Sequence, residues 1–179
     1  MSDVKLGLGL ATGMFYTAPA GTALPTSASA QIPEGWTLVG DVTNDGITVA
    51  TDKSVENLKN WANKIKRTIL TDHTESVQCP LMDTTEKTLK VVVGDENVSN
   101  SSGHITVNLS SSSLPESAAF LWVMKDGDDM MMLGCSQGQV TKVENINFAP
   151  GSGITWNTTI TAQGDGLKFL FDDDTDTSE

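Results

Sequence analysis

Ile154-Thr155-Trp156-Asn157-Thr158-Thr159-Ile160-Thr161-Ala162-Gln163 alternates in character: Ile154, Trp156, Ile160 and Ala162 fall on one side, Thr155, Asn157, Thr159, Thr161 and Gln163 on the other. Successive side chains of an extended strand point to opposite faces, so a period of two specifies a strand with one dry face. The same period runs through residues 103–110, where Ile105, Val107 and Leu109 alternate with His104, Thr106, Asn108 and Ser110. That stretch too is expected to bury one face.

Between these two lies a segment apolar on both faces. Ala118 to Lys125 and Met130 to Cys135 bracket Asp126-Gly127-Asp128, a strong hairpin turn. A hairpin of this kind is either central to a sandwich or covered by a neighbour. Gln139 to Phe148 and Leu167 to Phe171 supply further strands. Upstream, Trp36 to Gly40 and Gly46 to Thr51 flank the turn formers Asn44, Asp45 and Gly46 and are expected to pair as a hairpin. Lys64 to Cys79 reads as a long polar strand or hairpin interrupted at Asp72, His73 and Thr74.

Asp83 to Val93 pulls in two directions. Asp83 and Glu86 have the spacing of a capping box, and Leu89, Val92 and Val93 recur at helical intervals, while the β-branched residues suit a strand. The segment is read as a short helix, ended by Gly94, where a positive φ is cheap only for glycine.

The termini differ from this body. Residues 1–33 are rich in Gly, Ala, Thr and Pro and hold no period, which predicts an extended N-terminal arm. Phe15, Tyr16, Leu24 and Pro25 are its candidate inter-subunit contacts, because isolated apolar side chains on an arm seek a docking surface. The competing reading has them cover an edge of their own domain. Residues 172–179 carry repelling acids and no apolar residue, which predicts a disordered acidic tail. The expected organisation is therefore an arm over 1–33, one β-sandwich domain over 34–171 with one flanking α-helix, and the tail.

Composition bounds the function. In 179 residues, 6% aromatic and 19% charged, a single core of aliphatic strands fits better than two domains. The net charge of -12 removes counterion release at phosphates as a driving force, so DNA or RNA is not gripped. An acidic surface still suits a conduit along which DNA slides. No apolar run approaches a membrane span, and Met1 to Leu10 has no secretory pattern, so a soluble cytoplasmic chain is expected, with Cys79 and Cys135 as free, partly buried thiols.

No catalytic, metal or cofactor-binding residue is assigned. His73 and His104, the two histidines, have no partner at metal-ligand spacing, and Asp126, Asp128 and Asp129 lack the later bidentate Glu of a calcium loop. Gly7, Gly9 and Gly13 miss the dinucleotide fingerprint, and no Gly-x-Ser-x-Gly elbow is present. An enzyme is not expected.

Taken in order, several segments resemble the major tail protein family of siphophages. Gly13-Met14-Phe15-Tyr16-Thr17-Ala18-Pro19-Ala20-Gly21-Thr22-Ala23-Leu24-Pro25-Thr26 is similar to that family's N-terminal arm. Glu34 to Gly40 with Asp45-Gly46-Ile47 resembles its first hairpin, and Asp83-Thr84-Thr85-Glu86 through Gly94 its helix. Gln139 to Asn145 and Thr155 to Asp165 are similar to its last core strands. The resemblance implies a β-sandwich subunit of a tail tube in the virion, assembled in the host bacterial cytoplasm as stacked, hexameric rings. Its implied partners are copies of itself and other phage tail proteins, with DNA passing through without specific binding. Lumen-facing residues are not assigned. A β-sandwich binding module, adhesin or carbohydrate-binding, is the alternative; it would display a flat aromatic platform drawn from Trp36, Trp61, Trp122 and Trp156. Of these, Trp122 and Trp156 sit on apolar strand faces and read as core.

Overall fold

The computed structural model describes residues 5–10, 14–28, 31–146 and 148–172. The acidic tail, apart from Asp172, lies outside the described residues. The strands in chain order are β1 (Leu8–Gly9), β2 (Phe15–Pro19), β3 (Thr37–Gly40), β4 (Thr48–Lys59) and β5 (Ile65–Leu81). Helix α1 (Glu86–Val93) and a 3-10 turn (Asp95–Asn97) follow, then β6 (Val98–Ser101), β7 (His104–Val107), β8 (Ala118–Asp126), β9 (Asp129–Val143), β10 (Trp156–Ala162) and β11 (Lys168–Phe171). The chain is mainly β, with one α-helix among the described residues, as the alternation predicts.

The main sheet is antiparallel and runs β3-β2-β8-β9-β10-β5-β4. It wraps because β9 changes partner along its length: Met131 to Gly134 pair with β11, and Gly138 to Val143 pair with β10. At the far side Val42, just beyond β3, bridges Leu81 on β5. Thr43 N–H donates to the Pro80 carbonyl (2.9 Å) and Met82 N–H to the Asp41 carbonyl (3.1 Å). The two faces thus meet around one core, giving a sandwich continuous at its edges.

That core is lined by alternate residues of the strands. Val77, Cys79 and Leu81 of β5, Phe120 and Trp122 of β8, Leu133 and Cys135 of β9, and Trp156 and Ile160 of β10 are all buried. Phe15 joins them, fully buried and stacked between Phe120 (5.9 Å) and Trp122 (5.3 Å). Thr158, between Trp156 and Ile160 on the same face, is buried because its hydroxyl donates to the Cys79 carbonyl at 3.0 Å.

Helix α1 closes one opening of the core with Leu89 and Val92. Its N-cap is Thr85, whose hydroxyl accepts from Thr88 N–H at 3.3 Å, and not the Asp83 that the capping-box spacing suggests. Asp83 is spent elsewhere, accepting Asp41 N–H at 2.7 Å. Gly94 ends the helix at φ 94°, as expected.

Four sequence expectations change. β3 pairs with β2 and β4 with β5, so the Trp36–Thr51 stretch is not a hairpin; the turn between them instead carries the chain across to β5. β5 continues through Asp72, His73 and Thr74, with a bulge opposite Ser54 and Val55 absorbing the irregularity. The strand expected over Gln139–Phe148 is the far half of β9. Of the face expected to be dry, Val107 is half-buried against the core, while Ile105 and Leu109 are exposed, at 41% and 58%, because β7 pairs with β6 alone in a separate two-stranded sheet.

The N-terminal segment is integrated into the body. β2 lies between β3 and β8, and Leu24, Ala28, Ile32 and Trp36 lie over the outer face of β8 and β9. There Leu121, Val123 and Met132 are fully buried together with Ala28, packed by Tyr16, Leu24, Ile32 and Trp36. This explains why the β8–β9 hairpin is apolar on both sides: one face meets the core, and the other meets its own chain. Burial of each such side chain is worth about 1.5–3 kcal/mol.

Candidate functional site

The side chains that could carry chemistry are dispersed. Among the described residues no group of three or more His, Cys, Asp or Glu is placed to hold a metal ion. His73 faces Glu75 at 3.4 Å on β5, while His104 stands on the separate small sheet. Asp126 accepts Leu6 N–H at 3.0 Å and Asp129 pairs with Lys5, so the acidic turn holds the N-terminal segment down. Cys79 and Cys135 are free and buried, and burial pushes their thiols up to about 12 and about 11. These thiols stay protonated and unreactive at neutral pH. On α1, the Lys90 ammonium beside Glu86 (2.8 Å) holds that carboxyl below its usual range, with Asn100 adding a hydrogen bond.

The four residues read as arm contacts occupy different environments. Phe15 lies inside the core, Pro25 is buried, and Tyr16 and Leu24 are half-buried against the outer face of β8 and β9. In one chain, then, they cover their own domain. Asp172 is tied to the same segment, accepting from the Ser27 hydroxyl at 2.8 Å and from Ala28 N–H at 3.3 Å.

The feature that sequence reading passed over is the outer half of the β4–β5 hairpin. Every residue from Thr51 to Thr68 is exposed, on both faces of the ribbon. At about 3.3 Å per residue the ribbon projects roughly 30 Å. Its tip is an ordered turn. Asn60 N–H donates to the Lys64 carbonyl (2.9 Å), Asn60 Oδ1 accepts Lys64 N–H (2.9 Å), and Asn63 N–H donates to the Asn60 carbonyl (2.8 Å). Asn63 sits at φ 58°, a conformation asparagine tolerates better than most residues. This turn holds Trp61 fully in solvent, while Val55, Leu58, Ile65 and Leu70 are 45–56% exposed along the ribbon.

Charge marks the same place. Lys59, Lys64, Lys66 and Arg67 stand near the tip, and no acid occurs between residues 57 and 71, in a chain of net charge -12. That local reversal of sign was the available sequence signal. The hydrophobic period was not, because a ribbon wet on both faces has no reason to alternate.

The family model described as phage tail tube protein matches residues 9–172. The chain belongs to the phage tail tube protein family. It is a structural tail tube component of the virion, and the family role is non-enzymatic. A solved structure of the tail of an empty GTA particle, with C6 symmetry, is similar to this tail tube protein at 7% identity and a TM-score of 0.42, over 92% of this chain and 98% of that one. No curated protein matches the chain.

Proposed function

We propose that this tail tube protein assembles with copies of itself into closed hexameric rings, that the rings stack into a tube, and that phage DNA is ejected through the lumen. The observation that carries the self-assembly is the β4–β5 hairpin. A two-stranded ribbon with apolar side chains on both faces is marginal alone in water, and it gains stability once a second surface covers it. β4 is also an edge strand, with a row of unpaired backbone groups that a neighbouring strand can satisfy.

Head-to-tail contacts between unlike surfaces close into rings when the rotation permits. Six-fold closure follows the tail protein resemblance in the sequence. The acidic balance suits passage of DNA, since phosphates are repelled from most of the wall and the duplex does not stick. Assembly in the host cytoplasm and attachment to other tail proteins belong to the same reading. The inter-subunit role read for Phe15, Tyr16, Leu24 and Pro25 passes mainly to the hairpin, because those four already pack on their own chain.

The binding-module alternative needs an aromatic platform. Trp122 and Trp156 are buried, Trp36 packs against the Ala28, Leu121, Val123 and Met132 cluster on the outer face of β8 and β9, and Trp61 stands apart on the hairpin tip. These positions do not make a platform. The test is to replace residues 55–70 by a two-residue turn and compare sedimentation with the intact chain. The intact chain is expected to form large assemblies and the shortened one to remain folded and monomeric. Equal assembly by both would remove the hairpin from the account.

A further inference from the structure

A cavity of about 530 Å³ opens between the C-terminal end of α1, the following 3-10 turn and the start of β8. Its floor and wall include Leu114, Pro115 and Phe120, and its rim carries Asp95, Glu96 and Glu116, all three exposed. One cation also lines it, Lys90, and Glu86 holds that side chain at 2.8 Å. The carbonyl end of α1 faces the same opening through Lys90, Val91 and Gly94, and a helix C-terminus favours positive charge.

The cavity is therefore mixed in its lining, with Leu114, Pro115, Ala118 and Phe120 beside Thr17 and Ser117, acidic at the mouth and of a size that accepts an amphipathic group such as an indole; such pockets run from roughly 300 to 1,000 Å³. The hairpin tip has the complementary character, with a fully exposed indole on a segment that carries four cations and no acid. We propose that the Trp61 tip of one copy seats in this cavity of a second copy, with Lys59, Lys64, Lys66 and Arg67 against Asp95, Glu96 and Glu116. This deepens the self-assembly reading and rests on it.

The physical case has three parts. A buried Trp with flanking cations is the kind of anchor that dominates interface energies. The tip is pre-ordered by its Asn60 and Asn63 hydrogen bonds, so little conformational freedom is lost on docking. In a chain of net charge -12 like surfaces repel, and the cationic tip is the place where approach of a second copy is favourable. The contact joins two unlike surfaces, as a ring or stacked tube requires.

The test uses the full chain at high concentration, at the salt at which the wild type assembles most. Lys64→Glu, Lys66→Glu and Arg67→Glu together are expected to reduce the assembled fraction at least tenfold, as are Glu96→Lys and Glu116→Lys together. Mixing the two variants cannot restore a homogeneous contact, so both sets are then combined in one chain, where assembly is expected to return. A chain carrying Ala62→Cys, which keeps Trp61, and Leu114→Cys is expected to form intermolecular disulfide ladders under oxidation, visible on a non-reducing gel. Wild-type tubes with no ladder and no rescue overturn the cavity as receptor while leaving self-assembly standing. A wild-type chain that stays monomeric at every concentration overturns both. Cations that prove to bind duplex DNA, with assembly unchanged by the charge reversals, also overturn the proposal.

Discussion

The indole N–H of Trp122 donates to the sulfur of Cys79 across 3.3 Å, and both side chains are buried. Their strands, β8 and β5, are separated in the sheet by β9 and β10, so this contact crosses the core and ties its two faces together. Cys79→Ala removes little volume but leaves the indole donor without a partner. A buried donor left unpaired costs about 1–3 kcal/mol. Urea denaturation of the variant is expected to show a loss in that range, and an unchanged midpoint would remove the cross-core link.

The same burial gives a pH dependence. In the unfolded chain both thiols ionise near 9.0, whereas in the fold they hold their protons up to about 12 for Cys79 and about 11 for Cys135. A raised folded value means stability is fully present below the unfolded value and is lost as pH rises through the folded one. The thiol contribution is therefore intact at pH 8 and falls between pH 9 and 12. Thermal melts of wild type against the double variant Cys79→Ala, Cys135→Ala are expected to show a steeper alkaline loss in wild type. Parallel curves would contradict the burial of the thiols.

Gly134 tests how closely β9 is packed by β8 and by Leu24. A Cβ there would stand 2.8 Å from Leu24 Cδ2 and 2.9 Å from the Phe120 carbonyl oxygen. The Leu24 end can swing aside, but the carbonyl belongs to the sheet. Gly134→Ala is expected to cost about 1–3 kcal/mol by overpacking, measured in urea. Full tolerance would mean that the Phe120 carbonyl of β8 does not approach Gly134 this closely.

Legibility in the sequence followed burial. β10 was readable because Trp156 and Ile160 face the core while Asn157 and Thr159 do not, and β8 and β9 were readable because both their faces are dry. β2 was not. It is five residues long, ends in Pro19 and pairs with partners far away in sequence, so Phe15 read as a stray aromatic on an arm although it is fully buried. The 103–110 stretch was legible only in part: Val107 packs on the core, but β7 ends there, and Ile105 and Leu109 stay exposed in one chain. The candidate site was the least legible part. Its signal is four cations around Trp61 in an acidic chain, which is a matter of charge distribution and not of motif.

The most direct measurement of the central claim is electron microscopy of the purified full chain at high concentration, with salt raised stepwise to screen its self-repulsion. The account predicts six-fold rings and hollow tubes, increasing in number as the repulsion between acidic bodies is screened. Small single particles at every concentration and salt would contradict it.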